Sequence, residues 1–224
     1  MLKAAQIALF VPNPPKADEI ARICFPGVEI VSSMTQPQGS NANLSGELER
    51  QVASSPVMGR IDFTWEVKAS PPAFPDGNLE LAHLTGDFAG VDRFADTLPV
   101  ARVACVLTSR ARVDSPQAAL AIGRQQIPGV EIPRDATELI YRTNVPRDVS
   151  GYRLNRLAQW QASAVWFVGI VNGQPSQVQH HVWESTFDVN TAAERQLNQG
   201  EASRALDIVR GEARRLLETG FAGL

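Results

Sequence analysis

Between residues 60 and 68 the chain alternates strictly. Ile61, Phe63, Trp65 and Val67 interleave with Asp62, Thr64, Glu66 and Lys68, the period of a half-buried strand. Less regular apolar runs predict further strands at 4–11, 28–33, 78–85, 100–107, 137–145, 152–160, 163–171 and 177–189. The Gln, Ser, Asn, Pro and Gly content of 35–43 reads as a loop, and 44–53 fits either a strand or a helical turn. Elsewhere the apolar spacing becomes helical. Ala17, Ile20, Ala21 and Cys24 form one stripe, with Asn13 as N-cap, Pro14 at the first helical position and Pro26-Gly27 as the stop. Ser115-Pro116, Ala119, Ile122 and Pro128-Gly129 take the same roles later. Val91, Phe94 and Leu98 mark a short helix stopped by Pro99. Thr191 with Glu194 is a capping-box pattern opening a last helical region, striped by Leu206, Val209, Ala213, Leu216 and Leu217, with Gly220 as its C-cap.

Two of these helices share more than punctuation. Residues 26–30 and 128–132 both read Pro-Gly-Val-Glu-Ile. The same 102-residue offset pairs Pro14 with Pro116, Ala17 with Ala119, Ile20 with Ile122 and Arg22 with Arg124. That makes nine identities in the seventeen positions 14–30, and points to an internal duplication. Each half then reads strand–helix–four strands–helix. The expected fold class is α+β: two tandem β-α-β4-α repeats, residues 1–99 and 100–224, forming a curved antiparallel sheet with helices packed on one face. The two repeats are expected to make one continuous pseudo-two-fold unit.

That doubled element order resembles the tandem TATA-box-binding-protein-like fold, a likeness of topology that implies architecture and no activity. The opening strand at 2–11, the Val-Ala-Arg-Val-Ala-Cys-Val strand at mid-chain and the Phe187-Asp188-Val189-Asn190-Thr191 segment resemble a sporadically distributed family of uncharacterised microbial proteins of similar length. The chain departs from that family's pattern at 107–110, which reads Leu-Thr-Ser-Arg where Arg-Tyr-x-Asn is expected. The resemblance implies no settled activity.

Composition, 44% hydrophobic and 20% charged, is ordinary for a globular protein with a real core. No signal-peptide pattern follows Lys3. The longest apolar run, 164–171, is far short of the roughly 20 residues of a membrane helix. Cys24 and Cys105 make no metal or redox spacing, so a cytoplasmic protein with two buried thiols is expected, with no membrane partner. The net charge of −3 divides unevenly: residues 1–100 carry seven Lys/Arg and twelve Asp/Glu, residues 101–224 fourteen and twelve, all fourteen being Arg. A mildly acidic chain is a poor non-specific nucleic-acid binder, although an Arg-only half can hold a local anion site.

Catalytic motifs are not legible, and no catalytic residue, metal ligand or cofactor is assigned. His180 and His181 are adjacent on a strand and point to opposite faces; His180 and Glu184 share a face about 13 Å apart. There is no Gly-x-Ser-x-Gly elbow and no phosphate-cradling glycine loop. Strand parity is more informative. If Trp183, Phe187 and Val189 face the helices, then His180, Glu184, Thr186 and Asp188 face away. Arg142 and Asn144 face away opposite Tyr141, Thr143 and Val145. So do Arg153, Asn155 and Gln159 opposite Leu154 and Trp160, and the polar set Asp62, Thr64, Glu66 and Lys68.

The open face is either a solvated sheet surface or a binding surface on which Arg142, Asn144, Arg153, His180 and Glu184 are the contacts. Its acidic residues argue against a DNA saddle. Trp65, Trp166 and Trp183 are expected in the core and Trp160 at the surface. The leading reading is a non-enzymatic binding or interaction protein, alone or as a homodimer, with an unknown protein or small-molecule partner. The alternatives are a hydrolase or transferase acting on an anionic small molecule, and a nucleic-acid binder.

Overall fold

In the computed structural model the described residues form one antiparallel sheet of ten strands with four α-helices. The structure describes residues 1–69, 73–171, 173–193, 197–198 and 200–224. In chain order the elements are β1 (Leu2–Phe10), α1 (Ala17–Cys24), β2 (Ile30–Gln36), β3 (Gly39–Leu44), β4 (Leu48–Ser55), β5 (Arg60–Val67) and α2 (Thr85–Ala95). There follow β6 (Arg102–Val113), α3 (Pro116–Gln126), β7 (Leu139–Asn144), β8 (Arg147–Val149), β9 (Tyr152–Val171), β10 (Gln174–Thr191) and α4 (Ala202–Thr219). Short 3-10 turns, Leu81–Leu84 and Gly220–Gly223, precede α2 and follow α4. The sheet order is β2-β3-β4-β5-β1-β6-β10-β9-β7, with β8 pairing on β9.

The core lies between the helices and one face of this sheet. Ala5, Ile7 and Leu9 of β1 supply its centre, with Ile61, Phe63 and Trp65 on one side and Val103, Cys105 and Leu107 on the other, all buried. Each half gathers an aromatic cluster. Phe63 lies 6.2 Å from Phe25 and 6.5 Å from Phe94, while Trp160 lies 5.9 Å from Phe187 and 5.8 Å from Phe221. Such edge and tilted contacts add to what area burial alone contributes. Gly90 lets α2 close on α1: a Cβ there would stand 2.1 Å from the carbonyl oxygen of Cys24.

The two stretches of shared sequence end in the same way. Phe25 N–H bonds to Ala21 O and Ile127 N–H to Gly123 O, both at 2.9 Å, and the following Gly27 and Gly129 take φ +82° and +85°. Only glycine adopts that region without strain. Their starts differ. Ser115 caps α3 by accepting from Ala118 N–H at 3.1 Å, with Pro116 at the first position. Asn13, at φ +49°, and Pro14 lie before the helix, because α1 starts at Ala17 with Lys16 in the cap position; the first helical N–H, Ala17, is met by Ser40 Oγ of β3 at 2.8 Å.

The expected fold class is corrected by this architecture. Strand takes 45% of the chain, and one large sheet dominates rather than two tandem β-α-β4-α repeats with helices packed on one face. Long cross-strand pairing is the reason the sheet dominates. β1 bonds to β6 from Leu2 to Phe10 as fully as it bonds to β5. β9, at 20 residues, pairs along its length with β10, at 18, and grows past its other neighbours β7 and β8, at 6 and 3. The other face is also partly covered, since the connection after β5 lays buried Phe74 within 5.9 Å of Phe167 and 5.8 Å of His180.

Smaller expectations fall for local reasons. Residues 35–43 are mostly strand, because β2 and β3 form a tight hairpin and share Ser32–Asn43 side-chain bonding at 2.9 Å. Residues 78–85 are not a strand but lead into the 3-10 turn. The separate strands at 152–160 and 163–171 are one strand, β9. Thr191 Oγ1 accepts from Val103 N–H at 3.2 Å, and α4 starts only at Ala202; Glu194, its expected partner, lies outside the described residues. Gly220 does follow α4, at φ +58°.

Candidate functional site

The face away from the helices carries rows of side chains set by strand register. One row runs Ile140, Gln161, Glu184, Arg110; the next runs Arg142, Gln159, Thr186, Thr108 and on to Ala4, Glu66 and Glu49. A third holds Asn144, Leu157, Asp188, Val106, Gln6, Thr64 and Gln51. Amides, hydroxyls and charges thus span the sheet from edge to edge.

Several of these charges are already matched to a neighbour. Arg110 holds Glu184 Oε2 through Nε at 2.7 Å and Nη2 at 2.6 Å, with both side chains about one-fifth exposed. Asp62 Oδ1 accepts from Gln6 Nε2 and from Arg60 Nε, each at 2.8 Å. The Arg60 and Arg102 guanidinium groups lie 5.2 and 4.1 Å from the centre of the Phe10 ring, within cation–π range. Glu66 stands directly across from Glu49. Burial raises its pKa above the ordinary carboxylate value; Arg110 opposes the rise, and Glu49 and Glu184 add to it. Lys3 stands in the irregular step between Leu2 and Ala4, where β1 shifts register against β6. Its ammonium donates to Pro75 O at 2.8 Å and to Gly77 O, and burial lowers its pKa.

The five residues singled out from sequence share this surface without meeting in a pocket. Arg142 and Asn144 are exposed on edge strand β7, and Asn144 Oδ1 accepts from Arg156 N–H at 3.1 Å. Arg153 pairs with Asp148 across β8 at 3.0 Å, half exposed. His180 packs its ring 5.6 Å from Phe167, beside Phe74. Glu184 belongs to Arg110. Among the described residues no group of three or more His, Cys, Asp or Glu is placed to hold a metal ion. Cys24 and Cys105 are buried, and that pushes both thiols up to about 12.

Sequence reasoning missed Phe10 and Phe74, and placed Arg110 only among the arginines of the nucleic-acid reading, not as the partner of Glu184. Parity could have found Arg110, because β6 continues six residues beyond the predicted strand end at 107 and carries that arginine to the same face as Glu184. No local signal marks Phe74, which acts through a connection rather than a strand. Two tryptophans exchange places with their expectations. Trp160 is 1% exposed in the core, and Trp166 is 56% exposed on the outer length of β9, beyond the last β7 pairing at Ala162.

Comparison with known proteins adds no family. No family model matches the chain, and no curated protein does. Among solved structures it is similar to the outer membrane protein AlkL, determined by solid-state NMR in DMPC lipid bilayers. The likeness is 8% identity over 85% of this chain and 86% of that one, with a TM-score of 0.20, and a score that low carries no argument about fold or location. Among the described residues no helix is long and apolar enough to cross a membrane, which leaves β-barrel spans unaddressed.

Proposed function

We propose that this chain is a non-enzymatic cytoplasmic binding protein that presents its polar sheet face to a protein or small-molecule partner. One observation carries the reading. Arg142, Asn144, His180, Glu184 and the amide rows between them share a single face, yet their neighbours are separate: Asn144 meets Arg156 N–H, His180 meets the Phe74 and Phe167 rings, and Glu184 meets Arg110, as suits many weak contacts over an area rather than one reacting centre.

The enzyme reading asks for Arg142, Arg153, His180 and Glu184 to line one cavity, and their separate partners do not favour it. The nucleic-acid reading asks the second-half arginines to converge. Arg102 and Arg110 lie on the open face, while Arg156 is buried against the helices and Arg147 reaches toward Glu212 of α4 at 3.8 Å. That scatter over both faces does not favour a basic surface. The resemblance to uncharacterised microbial proteins adds no ligand to the proposal.

The test is native mass spectrometry of protein purified at low salt, beside an Arg142→Ala/Gln159→Ala variant. Extra mass on the natural chain that vanishes on denaturation and is reduced in the variant supports the sheet face. Extra mass unchanged in the variant overturns it.

A further inference from the structure

β9 and β10 run on together beyond their other neighbours. Among the described residues β7 pairs with β9 only as far as Ala162, and β6 with β10 only as far as His181. The remainder is a two-stranded ribbon whose faces differ. On the open side Phe167 and His180 pack against buried Phe74. On the helix side Trp166, Val168 and Ile170 continue the row of buried Trp160 and Ala162, but stand 56%, 65% and 74% exposed. A contiguous bare apolar stripe of this kind marks a contact surface.

The outer backbone edges of the ribbon differ too. That of β10 carries Pro175, which has no N–H to donate. That of β9, Ser163 to Val171, has no proline, no charge and no register shift against β10. Folded proteins usually guard an edge strand with lysines, prolines or bulges. β2, at the far edge of the sheet, has such a guard, a register shift against β3 between Ile30 and Ser32. The uncharged strip around β9 is wide. In a chain with 20% charged residues, no Asp, Glu, Lys or Arg occurs from Leu157 to Trp183. That pattern suits a second copy of the chain, which presents identical charges at every position. Two molecules of net charge −3 meet along such a strip without like charges in contact.

We propose that the chain dimerises by adding β9 to β9 of a second copy, antiparallel about a two-fold axis at Phe167, the middle of the unguarded edge. Trp166 then faces Val168 of the second copy, and Ala164 faces Ile170. Each occurs twice, an aromatic against a β-branched side chain and a small one against a large one, and cross-strand pairs of the first kind stabilise sheets. On the other face Val165 meets Gly169. β7 stops at Ala162, just short of the strip, and leaves the edge clear. A single-strand seam is small beside the roughly 800 Å² per partner of a standard interface, so the dimer is a dissociable one. This surface is separate from the polar rows and does not depend on them.

The experiment is sedimentation velocity of the full chain from sub-micromolar to high micromolar concentration. A monomer–dimer equilibrium is expected. Val168→Lys should weaken it at least tenfold with the circular dichroism spectrum unchanged, and Ile170→Lys does the same service if Val168→Lys fails to fold. Register is read by mild oxidation of Trp166→Cys mixed with Val168→Cys. The mixture should form disulfide-linked dimers and neither variant alone should, because a cysteine at either position lies about 7–8 Å from its own counterpart, beyond bridging distance. The native Cys24 and Cys105 are buried. A monomer at every concentration, a dimer untouched by both lysine variants, or cross-links formed as readily by one variant alone overturns the proposal. So does a monomer that binds phosphatidylcholine vesicles through the stripe.

Discussion

Arg153 and Arg156 stand three residues apart on β9 and point to opposite faces of the sheet. Arg153 is about half exposed and has one carboxylate, Asp148, across a short edge strand. Arg156 is 2% exposed, and its guanidinium donates to Val145 O at 2.9 Å, Glu212 Oε1 at 3.0 Å, Gly223 O at 3.1 Å and Leu224 O at 2.7 Å. Arg156 is held on the helix side of this sheet with Nε, Nη1 and Nη2 all donating, because an unmatched buried charge costs several kcal/mol. On the open side a single neighbour and water suffice.

The glutamates repeat the lesson with opposite signs. Hydrogen bonds from Arg215 and Arg156 hold Glu212 below the ordinary carboxylate range despite its burial. Glu66, on the open face, is raised, because partial burial and the nearby Glu49 and Glu184 outweigh Arg110. Relative to the unfolded chain, folding therefore favours the ionised form of Glu212 and disfavours the ionised form of Glu66.

Breaking the buried side should cost most. Arg156→Ala leaves Glu212 without one of its two close arginines and frees the last carbonyls, and should cost about 3–5 kcal/mol by chemical denaturation. Phe63→Ala, which empties the centre of the first aromatic cluster, should cost a similar ~3–5 kcal/mol. Arg110→Ala on the open side removes a partly exposed pair, and about 1–2 kcal/mol is expected. Arg153→Ala should change stability by no more than about 0.5 kcal/mol. A loss for Arg153→Ala equal to that for Arg156→Ala would end the distinction between the faces.

The pH dependence sharpens the same contrast. Glu212, with its folded pKa depressed, stabilises above its unfolded pKa, and that contribution fades as pH falls toward the folded value. Glu212→Gln should flatten the acid-side loss of stability. Glu66, with its folded pKa raised, costs stability once pH rises through the carboxylate range, and protonation below it relieves the cost. Glu66→Gln should then raise stability modestly at pH 7 and change little near pH 4, as read by thermal melts across pH.

Much was legible in the sequence wherever the physics is local. Alternation at Ile61, Phe63 and Trp65 assigned both strand and inward face, since successive side chains leave a strand on opposite sides. Ser115-Pro116 and the glycines at 27 and 129 marked helix ends because capping and positive φ are properties of a few adjacent residues. Parity also put Arg142, His180 and Glu184 on one face. What packs against a face is not local, and there the tertiary structure decided. Trp160 is buried under Phe221, from far along the chain, and Trp166 is exposed because β9 outruns β7. His180 meets Phe74 from a connection with no periodicity to read. The halves meet where β1, from Leu2 to Phe10, bonds to residues 102–109 of β6, about a hundred residues away. Nothing in either strand alone specifies that pairing.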